Sequence, residues 1–89
     1  MVYLVTYDLN KEGQRYKDLY ELLKKLTYIR DQGLDSVWFI SSNLSVQQLT
    51  DHIRTVLDNN DRLFVAKLNL HEYNGWMHED IWEWIRTRL

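Results

Sequence analysis

Val2-Tyr3-Leu4-Val5-Thr6-Tyr7 is a run of β-branched, aromatic and leucine residues that reads as a strand. In an extended chain Val2, Leu4 and Thr6 point one way, and Tyr3, Val5 and Tyr7 point the other. Both sides are largely apolar, so this strand belongs in the middle of a sheet that is covered on both faces. Asp8-Leu9-Asn10-Lys11-Glu12-Gly13 then breaks the pattern with turn formers.

Working outward, Tyr16, Leu19, Tyr20, Leu23 and Leu26 recur at the spacing of one helical face. Asp18 and Glu21 are expected early in that helix and Lys24 and Lys25 late, as its dipole favours. Residues 27–30 and 35–41 read as two strands, and Asp31-Gln32-Gly33-Leu34 between them has the length and the glycine of a hairpin connection. Ser45 with Gln48 three residues on predicts a capping box, and Leu44 and Leu49 sit at staple spacing. Leu49, Ile53, Val56 and Leu57 supply the buried stripe of that second helix. Asp58-Asn59-Asn60-Asp61 ends it, and residues 63–68 form a last strand, apolar on both sides. Met77, Ile81, Trp84, Ile85 and Leu89 mark a terminal helix.

The order strand, helix, strand, strand, helix, strand predicts an α+β fold of ferredoxin-like (βαββαβ) type. It is a single antiparallel sheet with two helices on one face plus a C-terminal helix. One domain spans 1–89, with a core over 1–70 and a C-terminal turn and helix over 71–89. Two helices shelter only one face of such a sheet, and a large apolar patch left in water marks a contact surface. Four Trp, six Tyr and two Phe in 89 residues add to the surplus. A homodimer with twofold symmetry is therefore expected, with Tyr3, Val5, Trp38, Trp82 and Trp84 as dimer or partner contacts. The alternative is that the terminal helix caps its own sheet. Trp82 and Trp84 lie roughly 200° apart on a helix, so that helix should touch two surfaces.

Composition excludes several classes. Without cysteine there is neither a disulfide framework nor a thiolate zinc site. No apolar run reaches the roughly 20 residues of a membrane span, and the first residues lack the basic start of a signal peptide, so a cytoplasmic location and no membrane partner are expected. Eleven Lys and Arg against thirteen Asp and Glu give a net charge of −2. Nucleic-acid binders draw much of their affinity from a basic excess, so nucleic acid is disfavoured as a partner and another protein is favoured. Lys11, Arg15 and Lys17, and Lys24 with Lys25, read as solvated helix faces.

Asp8, ending the first strand, is the residue most suited to chemistry. One aspartate per chain holds a hydrated Mg or Mn ion only if two chains bring their copies together. The other reading has Asp8 capping the turn that follows. His52 reads as a packed or solvated histidine. His78-Glu79 lacks the second histidine of the helical zinc-protease pattern, because Trp82 stands there. The serines have no evident His and Asp partners, and no glycine-rich phosphate loop is present.

Val5-Thr6-Tyr7-Asp8 ending a strand, Asp35-Ser36-Val37-Trp38-Phe39 after a hairpin and the helix started by Ser45 together resemble the small CRISPR-associated Cas-two-like superfamily. The Tyr-Asp-Leu-Asn of 7–10 and the Asp-Asn-Asn-Asp-Arg-Leu type of lead-in at 58–63 are similar to its SinR-like branch. The resemblance implies a ferredoxin-like homodimer in which Asp8 lies near the dimer axis and shares a divalent metal. Some members of the family are metal-dependent nucleases and others are structural dimers, so fold does not decide between them. Two functions are thus expected to compete. One is a homodimeric binding or scaffold protein of defence or mobile-element systems, without catalysis of its own. The other is a Mg- or Mn-dependent nuclease in which paired Asp8 carboxylates hold the metal and Tyr7 helps position a phosphate.

Overall fold

β1 (Val2–Asp8) occupies an interior position of a four-stranded sheet, as its two-sided apolar pattern requires. α1 (Gln14–Lys24), β2 (Thr27–Ile29), β3 (Val37–Ser41), α2 (Val46–Arg54), β4 (Arg62–Lys67) and α3 (Glu79–Arg86) follow in chain order. The structure is a computed structural model and describes residues 1–10 and 14–89. The expected turn at 11–13, with Lys11 and the Arg15 side chain of the basic cluster, lies outside the described residues. The protein is α+β, with one open sheet in the order β2-β3-β1-β4, antiparallel throughout.

Strand register sorts the side chains. Val5 lies between Trp38 of β3 and Val65 of β4, and Tyr3 faces Ile40. These residues alternate onto the face covered by α1 and α2, where they join Leu19, Leu23, Leu49 and Ile53 in the main core. Leu4 lies between Phe39 and Ala66 on the opposite face. There Val2 and Phe39 pack with Ile81 and Ile85 of α3 in a second, smaller core.

Over part of this face the second core follows the alternative in which the terminal helix caps its own sheet. The chain's own terminal helix supplies cover that a second copy was expected to bring. Tyr3, Val5 and Trp38 are completely buried beneath α1 and α2, so they are not contacts for a partner. Trp82 and Trp84 are half-buried against the second core. They do reach different neighbours: Trp82 stacks on Tyr73 with ring centroids 6.2 Å apart, and the Arg88 guanidinium lies 4.5 Å from the centre of the Trp84 ring.

Local signals explain the helix ends. The Gln48 backbone N–H donates to Ser45 Oγ at 3.1 Å, and the Ser45 N–H donates to Gln48 Oε1 at 2.9 Å, so α2 carries the capping box that its sequence predicts. Among the described residues α1 runs Gln14–Lys24 with no acidic residue in its first turn, so Asp18 and Glu21 lie towards its middle rather than near its positive end. The 58–61 lead-in is built around Asp61, which accepts from the Asn10 N–H at 2.9 Å and the Asp58 N–H at 2.8 Å. One carboxylate thus fastens the end of β1 to the segment entering β4.

Candidate functional site

Asp8 ends β1 on the face shared with α3 and is exposed to solvent. Arg62 of β4 stands across from it in register, and Thr6, one step back on the same face, lies between Val37 and Phe64. The Thr6 and Ser36 hydroxyls lie 3.4 Å apart. Phe64 is 61% exposed, so α3 leaves this end of the face open. Among the described residues no group of three or more His, Cys, Asp or Glu is placed to hold a metal ion.

Tyr7 points the other way. Its hydroxyl accepts from Trp38 Nε1 at 2.8 Å, and its ring sits 6.1 Å from Tyr16 and 6.3 Å from Tyr20. Burial, aided by the neighbouring Tyr20 hydroxyl, pushes its ionisation well above the ordinary tyrosine range, so it stays a neutral phenol. The sheet therefore separates Tyr7 from Asp8 instead of bringing them together at one site. Trp38 is roofed by Arg30, whose guanidinium lies 4.3 Å from the ring centre and donates to the Asp35 carbonyl.

Two features were not legible as sites. The first is Asp31, read from sequence only as part of a hairpin connection. Its Oδ1 accepts from the Gly33 N–H at 2.8 Å and its Oδ2 from the His78 N–H at 3.0 Å. These two donors, Gly33 first, hold its carboxyl below the ordinary aspartate range. His78 is the N-cap residue of α3, so Asp31 ties the β2–β3 connection to the start of the terminal helix. The Asp-x-Gly spacing was the available signal, since aspartate bonds backbone two residues on. The His78 partner, 47 positions away, had none.

The second feature is an apolar cavity of about 290 Å³ between the sheet, the 73–77 segment and α3. Leu4, Leu34, Phe39, Leu68, Tyr73 and Trp82 are among the residues that line it. Trp76 stands at its rim with 99% of its surface in solvent. His52, His71 and His78 are all exposed and lie on three different segments.

No protein-family model matches the chain. Among solved structures it is similar to a hypothetical protein, TT1823 from Thermus thermophilus. The two are 28% identical over 86% of this chain and 93% of that one, with a TM-score of 0.60.

Proposed function

We propose that this chain is a small homodimeric binding or scaffold protein of the Cas-two-like type, in its SinR-like branch, acting in the cytoplasm in a defence or mobile-element setting without catalysis of its own. The ferredoxin-like reading of its fold rests on the βαββαβ order followed by one extra helix. The observation that carries the function is the set of large apolar side chains left in water: Phe64 at 61%, Leu70 at 65% and Trp76 at 99% exposure. Exposed apolar side chains of this size favour a contact surface for another macromolecule. Net charge of −2 favours a protein partner over nucleic acid. Sedimentation equilibrium at micromolar concentration tests the first step. A dimer mass is expected, and a monomer throughout would contradict the homodimer.

A second reading is a Mg- or Mn-dependent nuclease with Asp8 carboxylates paired across the dimer axis. It is favoured by the exposure of Asp8 at the end of the sheet face that α3 leaves open. Asp8→Asn should then abolish metal-dependent cleavage of a nucleic-acid substrate. Equal cleavage by variant and parent would remove Asp8 from any such role.

A further inference from the structure

Trp76 is the most exposed large apolar residue in the structure, and it stands beside a cavity of its own chemistry. An indole presents about 150–250 Å² of mostly apolar surface, which water opposes. Trp82 and Trp84 find cover against the second core, whereas Trp76 finds none in its own chain. The cavity, at about 290 Å³, is at the small end of the roughly 300–1,000 Å³ typical of ligand pockets. It has room for one aromatic side chain. Its walls are mostly aromatic and aliphatic, and Gly75 lies against the Trp82 ring, where a Cβ would sit 3.5 Å from Trp82 Cη2.

A knob beside a matching hole on one surface is self-complementary under a twofold axis, because each copy's knob then meets the other's hole. We propose that Trp76 of each chain seats in this cavity of a second copy, so that two indoles pass one another near the axis. The partner is thus a second copy of this chain, and it contributes a residue that completes the pocket. This inference rests on the homodimer reading and adds where the copies meet. The contact lies beside α3, away from Tyr3, Val5 and Trp38, which the main core has consumed. Two exchanged indoles with their pocket walls bury less than the roughly 1,200 Å² of a standard stable interface. The dimer is accordingly expected to be weak and to form in the micromolar range, with Trp76 as its anchor.

Sedimentation equilibrium from low micromolar to submillimolar concentration tests this with the parent, Trp76→Ala and Leu34→Glu. Leu34 lines the cavity and is 40% exposed, so a glutamate there sets a charge at the indole's seat without disturbing the core. Both variants should raise the dimer dissociation constant about tenfold or more. Their thermal midpoints, measured where the parent is monomeric, should match the parent's. Trp76→Phe should keep part of the affinity. If the parent dimerises and both variants dimerise equally well, the indole exchange is wrong while the homodimer stands. A parent that stays monomeric over the whole range overturns both.

Discussion

The two faces of the sheet begin from similar sequence and end differently. Beneath α1 and α2, Tyr3, Val5, Trp38 and Ile40 have no solvent exposure at all. On the other face Val2 and Phe39 are closed by α3, but Thr6 and Val37 are half-exposed and Phe64 stands open. Length explains the difference. The eight residues of α3 span roughly 12 Å at about 1.5 Å per residue, while the seven of β1 run roughly 23 Å at about 3.3 Å each. One helix of that length cannot roof the whole of such a strand. An apolar pattern on both sides of a strand therefore states a demand for cover, and the supply depends on how many helices the chain has left.

The largest expected effect tests the closed face. Trp38→Ala removes a fully buried indole that bonds to Tyr7 and carries Arg30, and should cost about 3–5 kcal/mol. That is a large part of the roughly 5–15 kcal/mol that holds a domain together. Ile85→Ala on the α3 face should cost about 2–5 kcal/mol, towards the lower end because a thin layer collapses around the gap more readily. Urea unfolding followed by circular dichroism measures both. A cost for Ile85→Ala equal to that for Trp38→Ala would erase the distinction between a deep core and a lid.

Asp31→Asn sharpens the same contrast through pH. The folded-state pKa of Asp31 is depressed by the Gly33 and His78 N–H groups. Its contribution is thus complete above the unfolded value of about 4 and is lost as the pH falls through the lower folded value. Thermal midpoints of parent and variant should differ at neutral pH, begin to converge below about pH 4 and meet once the pH has passed the lower folded value. A gap that persists in acid would mean that the carboxylate charge is not what holds the start of α3. The smallest effect falls in the connection leading to that helix. His71 has φ of 65°, the left-handed region that glycine adopts without strain. His71→Gly should therefore be neutral or stabilising by up to about 1 kcal/mol, where glycine at an ordinary position would destabilise.

Residues close in sequence announced most of the architecture. The alternation in 2–7, the Leu and Tyr spacing of α1 and the Ser45–Gln48 box each act within a few residues, and each appears as an element or a bond. The helix of Ile81 and Ile85 was equally legible, but its destination was not. An apolar stripe shows that a helix needs a surface and leaves open which one. The same limit hid the role of Asp31, because its second donor comes from the far end of the chain. Asp8 and Tyr7, adjacent in sequence, were grouped as one site, although strand alternation sends neighbours to opposite faces.

The central claim is that α3 lies on the sheet of its own chain. Nuclear Overhauser effects from the Ile81 and Ile85 methyls to the Phe39 ring test it most directly, recorded in a uniformly labelled sample and again with isotope filtering in a mixture of labelled and unlabelled chains. The account predicts strong contacts in the first experiment and none surviving the filter. Contacts that pass between labelled and unlabelled chains would show the helix roofing a partner, and would contradict it.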